Sequence, residues 1–440
     1  MKAREIAYMA LLRMMRNGSF SNLTLDAVLR EENPSPQDRQ LAATLFYGVL
    51  ERKLTLDYMI SRYIKKKISS LDPEVLIALE MGFYQLAYLS GIPQSASVNE
   101  SVNLIKKSRK RSAAGFGNAI LRNFQRDQCK LNLPEGDDFY RLSIETGMPQ
   151  SILHRWARDY SFETAAALAR ACLGRPPLHL RVNPLRATVE EAVNALSAEG
   201  VEVHPDSLIP NCLEVFHSGA IAEKTAFRHG MVSVQDTASQ LCALALDAQP
   251  GEKIYDLCAA PGSKSFVLAQ EMKNQGELFA FDLYPARVRL IQEGAERLGI
   301  SCLHAAAGDA SQYNSALGLA DRVLCDVPCS GLGVIRRKPE IRWKTEAELD
   351  ALPPIQRDIL SNAARYVKSG GILVYSTCSL SRAENEAVVE DFLDKNPDYT
   401  IAPMPPVVAG ILGNDVGQAT LMPVGESRFD GFYIARMLRR

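Results

Sequence analysis

The chain has 440 residues, 47% of them hydrophobic, enough to bury several cores and, at about 150 residues per domain, to form roughly three domains. With 50 Lys and Arg against 51 Asp and Glu the net charge is -1, so any nucleic-acid-binding surface must be local. No apolar run of about 18 residues is present to span a membrane, the start MKAREIAYMALLRMM is too charged and amphipathic for a signal peptide, and nine Cys without a C-x-x-C pair argue against a disulfide scaffold and a zinc ribbon. A cytoplasmic, monomeric protein with free thiols and no metal is expected.

Residues 1–135 read as nearly all helix. Apolar residues recur at spacings of three and four in REIAYMALLRMM, LAATLFYGVLERKLTLDYMISRYI and PEVLIALEMGFYQLAYL, punctuated at Asn33-Pro34, Asp72-Pro73 and Gly91-Ile92-Pro93. Such a bundle resembles the RNA-binding antitermination fold called NusB. Lys106, Lys107, Arg109, Lys110 and Arg111 place five bases within six residues, followed by FGNAILRNF. They could neutralise RNA phosphates or simply solvate a helix end, and bundles of this type also bind proteins.

Residues 136–175 read as a helical connector whose main helix is SILHRWARDYSFETAAALARACL. Across 176–235, LHLRVNP, TVEEAVNALSAEG, VEVHP and CLEVF alternate strand, helix, strand, strand, which predicts a small α+β subdomain of ferredoxin or RRM type. MVSVQDTASQLCALAL is then expected as a strand and helix joining the main sheet.

From 236 to 440 strands and helices alternate, the pattern of a mostly parallel, Rossmann-like α/β sheet. In KIYDLCAAPGSKS, residues 253–265, a buried strand ends in Asp256, turns through Cys258, Ala259, Ala260, Pro261 and Gly262, and opens a helix at Ser263 and Lys264. A phosphate loop would need Gly at 258 and directly before the Lys, and the G-x-G-x-x-G dinucleotide fingerprint is absent, so the expected ligand is a nucleoside whose polar tail needs one tight turn. Twenty residues after Gly262, GELFAFDL ends a second strand at Asp282, placed to accept two ribose hydroxyls. CLHAAAGD ends a third near Asp309, RVLCDVPCSG a fourth with Asp326 and Cys329, and GGILVYSTCS a fifth at Cys378; RFDGFYIARMLRR reads as a last strand. Acids at four successive strand ends would share one rim.

DLCAAPG, DVPCSGLGVIRRKPEIRW, YSTCSL followed by ENE, and DGFYIAR together resemble the S-adenosylmethionine-dependent RNA cytosine-C5 methyltransferases, and among them the bacterial 16S ribosomal RNA enzymes of the Sun/Fmu (RsmB) type. The resemblance is strong from about 176 to 440 and looser before. Ser263 and Ser265 stand where that family usually has Gly and Thr, and Arg382-Ala383 where Pro-Glu is common. The resemblance implies a seven-stranded class I methyltransferase domain that holds S-adenosyl-L-methionine on residues 258–264 with Asp282, Asp309 near the adenine amine, and Asp326. It also implies a 16S ribosomal RNA substrate, led to the site by a subdomain in which Arg181, Asn183 and Arg186 are candidate contacts.

Cytosine C5 becomes nucleophilic enough to take a methyl group only after a thiolate adds to C6, so a cysteine must sit on the base-facing rim. Cys329 and Cys378 both fit, whereas Cys242, Cys258, Cys302 and Cys325 read as small buried hydrophobes. The resemblance implies attack by the Thr-Cys thiol, Cys378, and product release by the Pro-Cys thiol, Cys329. Asp326 is then expected on the N3/N4 edge of cytosine, with Lys264 orienting Asp326 or the nucleoside. A non-catalytic RNA assembly factor and a DNA cytosine methyltransferase are the competing classes, disfavoured by the intact acids and cysteines and by the Thr-Cys motif with its helical front domain. Transfer RNA and 23S ribosomal RNA are the alternative substrates.

Overall fold

The computed structural model describes residues 2–17, 21–174, 176–413, 415–425 and 427–440. It divides into two compact units, Met1–Arg175 with Ile335–Lys344, and Pro176–Val334 with Thr345–Arg440. Among the described residues no helix is long and apolar enough to cross a membrane.

The first unit is helical. Pro36 and Pro73 each open a helix, where a missing N–H costs nothing, and the Ser35 hydroxyl accepts from Asp38 N at the first of these starts. The helix Pro73–Tyr88 is buried on most sides, from Val75 to Leu86, and Phe83 stacks on Phe124 at 4.1 Å, which makes it the centre of the bundle. The expected single helix through SILHRWARDYSFETAAALARACL is instead two, Gln150–Asp159 and Phe162–Ala171. Ser161 ends the continuity by capping the second, its side chain accepting from Thr164 N. The chain returns to this unit at Ile335–Lys344, where Glu340 accepts from Ser21 N (3.2 Å) and Ser21 Oγ (2.7 Å). Arg342, 1% exposed, donates there to the Glu51 carbonyl at a helix C-terminus and to the Cys172 carbonyl.

The second unit carries two sheets. The smaller comprises β1 (Leu178–Val182), β2 (Glu202–Pro205), β3 (Cys212–His217) and β4 (Val232–Val234) in the order β2-β3-β1-β4, with every pair antiparallel. The helix Val189–Ala198, held by a Thr188–Glu191 capping box, covers Leu180, Val182, Leu213 and Val232. The MVSV strand therefore does not join the main sheet as expected. Val232 pairs with Val182 and buries its side chain in the small core, so β4 is an edge of the small sheet.

The larger sheet has β5 (Lys253–Asp256), β6 (Glu277–Asp282), β7 (Leu303–Ala307), β8 (Ala320–Asp326), β9 (Val367–Thr377), β10 (Tyr399–Ile401), β11 (Gln418–Leu421) and β12 (Phe432–Arg439). Their order is β10-β12-β9-β8-β5-β6-β7, with β11 also on β12, one strand more than the seven expected. The run from β7 to β9 is parallel, and β12 is antiparallel to β9. Strand side chains alternate between two cores. Ile254, Leu278, Leu324, Val374 and Ile434 face the helices Thr237–Leu246, Ser263–Glu271 and Pro285–Leu298, whereas Tyr255, Val323, Leu373, Tyr375 and Tyr433 face Leu352–Ala364 and Glu386–Lys395. The result is a three-layer α/β domain whose strand order reverses between β5 and β8.

Candidate active site

Ligands of open parallel sheets bind outside the carboxyl ends of the strands, at the point where the order reverses. That rim carries Asp256, Asp282, Asp309, Asp326 and Cys378, each at or just beyond the end of β5, β6, β7, β8 or β9. The turn from Cys258 to Gly262 is tied to the neighbouring strand, with Ala259 N donating to Phe281 O and Gly262 N to Ala259 O, both at 2.7 Å. Gly262 has φ +105°, and a Cβ there would meet the Phe266 ring at 2.5 Å, so glycine is required on both counts. No side chain caps the helix that begins at Ser263, so its first N–H groups are donors available to a ligand at the turn.

Asp282 Oδ1 accepts from Tyr284 N (3.1 Å), and Oδ2 lies 3.1 Å from Arg287 Nη1. The same guanidinium donates to Ala260 O at 2.8 Å, tying the turn to the acid. Asp309 Oδ1 accepts from Ser311 N and Ser311 Oγ. Leu283 and Tyr284, 54% and 58% exposed, add apolar surface directly after Asp282. Uncapped N–H donors, a carboxylate and apolar side chains beside it form a donor set that fits a nucleoside with a polar tail, the chemistry of S-adenosylmethionine.

Across the β5–β8 crevice, Lys264 Nζ donates to Asp326 Oδ2 at 2.7 Å and Ser376 Oγ to Asp326 Oδ1 at 2.8 Å. Lys264 Nζ also lies 5.0 Å from the Phe432 ring centroid. Burial works to lower the Lys264 pKa, but the charge of Asp326 and their hydrogen bond outweigh it and the net shift is upward. Asp256 is wholly buried beneath the turn, Oδ2 accepting from Ser265 Oγ at 2.6 Å, and burial pushes its carboxyl up to about 7.

The two candidate thiols meet: Cys329 Sγ is 3.2 Å from Cys378 Sγ. The hydrogen bond with Cys378, then burial and nearby acids including Asp326, push the Cys329 thiol up. Gly333 N donates to Cys378 O at 2.9 Å, locking the two loops together. The DGFY segment supports them from behind, since a Cβ on Gly333 would lie 2.0 Å from Gly431 O. Ser376, Arg287, Gly431 and Glu384 take part in this rim without having been singled out as site residues. Glu384 and Gly431 lie inside the motifs ENE and DGFYIAR, but in sequence an acid before a helix has the look of a cap.

The candidate RNA-binding residues fare differently. Lys106, Lys107, Arg109, Lys110 and Arg111 are exposed in the helical unit, but Lys107 pairs with Glu5 (2.5 Å) and Lys110 with Asp72 (2.9 Å). Arg181 and Asn183, expected as RNA contacts, do not reach the surface. Both are 0% exposed; Arg181 is spent on Gln270 Oε1, Pro210 O and Glu271 Oε1, and Asn183 Nδ2 on Gly230 O and Leu298 O. These side chains join the small sheet to the helices Ser263–Glu271 and Pro285–Leu298. Arg186 is exposed and donates through Nε to Leu298 O at 3.4 Å.

A model of the 16S rRNA methyltransferase RsmB/F family matches residues 243–438, a NusB family model residues 1–126, and an RsmF/B-like ferredoxin-like domain model residues 148–222. The probable ribosomal RNA small subunit methyltransferase B of Bacillus subtilis is 39% identical over 399 residues, covering 90% of this chain and 89% of that one. The ribosomal RNA small subunit methyltransferase B of Vibrio cholerae is 32% identical over 444 residues, covering 99% and 97%. Among solved structures, PH0851 superposes with a TM-score of 0.83 at 25% identity over 99% of this chain and 98% of that one. NSun6 from Pyrococcus horikoshii, solved with SFG, gives 0.60 at 21% over 67% and 99%, a likeness of fold. With relatives above 30% identity along nearly its whole length, the chain belongs to the ribosomal RNA small subunit methyltransferase B family.

Proposed function

We propose that the chain methylates C5 of a cytosine in 16S ribosomal RNA with S-adenosyl-L-methionine, through a covalent adduct between Cys378 and C6 of the base. The observation that carries this reading is the pair of sulfurs 3.2 Å apart on the rim, on loops adjoining the acid Asp326. When bound, S-adenosylmethionine supplies an electrophilic methyl group. Residues 258–264 hold its amino-acid tail, Asp282 its ribose and Asp309 its adenine edge. Asp326, oriented by Lys264 and Ser376, accepts from the N4 amine of the flipped cytosine and favours the N3-protonated, electrophilic form. The Cys378 thiolate adds to C6 as N3 takes up a proton; after methyl transfer water takes the C5 proton, the C5–H electron pair closes the C5=C6 double bond, the C6–S pair leaves on the Cys378 sulfur and N3 gives up its proton. Cys329, its sulfur 3.2 Å from that of Cys378, is placed to pass a proton to the Cys378 sulfur as the thiolate departs.

In this reading residues 1–135 hold RNA through the exposed bases near Lys106, 136–175 connect, 176–235 lead toward the site and 236–440 catalyse, in a cytoplasmic monomer. Mapping 5-methylcytosine in ribosomal and transfer RNA from a strain lacking the chain tests the substrate. Loss of one methylcytosine from 16S ribosomal RNA is expected, and loss from 23S or transfer RNA with 16S intact would overturn it.

A further inference from the structure

We infer that Glu384 is the positioning residue for both thiols, a single carboxylate that sets the register of the Cys329 loop against the Cys378 loop; the inference rests on the two-cysteine reading above. Glu384 is 2% exposed. Its Oε2 accepts from Ser330 N (2.8 Å) and Gln356 Nε2 (3.0 Å), and its Oε1 from Ser330 Oγ (2.5 Å) and Ser379 Oγ (2.7 Å). Ser330 directly follows Cys329 and Ser379 directly follows Cys378, so the residue after each thiol is bound to the same carboxylate. The residue before each thiol is fixed through the neighbours of Glu384: Gln356 Nε2 donates to Pro328 O at 3.0 Å, and Thr377 Oγ1 to Asn385 Oδ1 at 2.6 Å. Asn385 Nδ2 closes the ring on Ser379 O at 3.0 Å.

Two N–H groups and two serine hydroxyls face the carboxylate, and the hydroxyls, 2.8 Å apart, can both donate to it, so each oxygen can accept twice. A glutamine at 384 has the same shape but one acceptor oxygen: with that oxygen receiving the Ser330 and Gln356 N–H groups, its amide hydrogens point at the two serine hydroxyls, which must turn to accept. The bond from Ser379 to a carboxylate, which ties the Cys378 loop to residue 384, is then replaced by a weaker neutral one. Glu384 touches neither substrate nor cofactor in this arrangement and acts through the cysteines.

The test uses the full-length chain with in vitro transcribed 16S ribosomal RNA and labelled S-adenosylmethionine, at single turnover, with denaturing gels to separate covalent complex from released product. Glu384→Gln should slow methyl transfer roughly 10- to 100-fold, as expected when reacting groups are displaced by about 1 Å. It should also raise the fraction of RNA held covalently, with affinity for S-adenosylmethionine unchanged. Glu384→Asp, which keeps all acceptors but is one methylene shorter, should recover part of the rate. A merely structural acid would lower the folded fraction without changing how the adduct divides between trapped and released. If Glu384→Gln does not fold, Ser379→Ala removes one contact and should shift that division in the same direction. Unchanged rate per folded molecule and unchanged division would overturn the inference. Wild-type enzyme that makes no 5-methylcytosine would instead remove the reading on which it rests.

Discussion

Replacing Asp282 by Ala isolates the cofactor-binding claim from the chemistry. The carboxylate ends β6, 3% exposed, and in the proposed complex accepts from two vicinal ribose hydroxyls. Leaving those hydroxyls without an acceptor should cost about 1–3 kcal/mol, a loss of affinity of roughly 5- to 150-fold. The same change frees Tyr284 N and Arg287, which now lie 3.1 Å from its two oxygens, so the turn itself loosens. Asp282→Asn separates the two effects: its Oδ1 can still receive Tyr284 N while the amide confronts Arg287, and its loss should be smaller than that of Ala. Isothermal titration with S-adenosylmethionine reads both. Unchanged affinity in Asp282→Ala would refute the placement of the ribose at the end of β6.

Neutralising Lys106, Arg109 and Arg111 should flatten the salt dependence of RNA binding by about 0.7–0.9 log units per lost phosphate contact. Lys107 and Lys110, already paired with Glu5 and Asp72, should contribute less, and an unchanged slope in the triple variant would mark the run as a solvated helix end. Burial raises the Asp256 carboxyl from 3.8 to about 7, so the native state holds an extra proton between those values. Its contribution to stability is therefore present below about pH 4 and lost as pH rises through 7. Against Asp256→Asn, which cannot ionise, wild-type stability should fall by about 1–3 kcal/mol between pH 5 and pH 8. Urea midpoints that run parallel for the two proteins would contradict this.

The rim was legible in the chain because each parallel strand is a short apolar run that stops at an acid or a Cys, and the local sequence decides where it stops. Asp256, Asp282, Asp326 and Cys378 needed no knowledge of their neighbours. Arg181 was misread for the opposite reason. A basic residue on a strand of a small sheet looks solvated, and nothing local announces that the helix Ser263–Glu271 lies across it and supplies Gln270 and Glu271 as partners. MVSV is apolar enough for either sheet, and its pairing with Val182 is decided by tertiary contact alone. Glu384 belongs to the same class: its four donors come from three separated segments, so its part was invisible until they were brought together. Ser161, by contrast, carried a readable signal, a hydroxyl three residues ahead of the N–H it caps.

The two-thiol mechanism is tested most directly by denaturing electrophoresis of each single cysteine variant after incubation with 16S ribosomal RNA and S-adenosylmethionine. Cys378→Ala lacks the nucleophile and should be inactive, with no band of retarded mobility, while still binding RNA and cofactor reversibly. Cys329→Ala should add to C6, accept the methyl group and fail to release it, giving a covalent protein–RNA band that needs S-adenosylmethionine to accumulate. A trapped band from Cys378→Ala and none from Cys329→Ala would reverse the two roles. Methylation persisting in both variants without any trapped band would contradict the account at its centre.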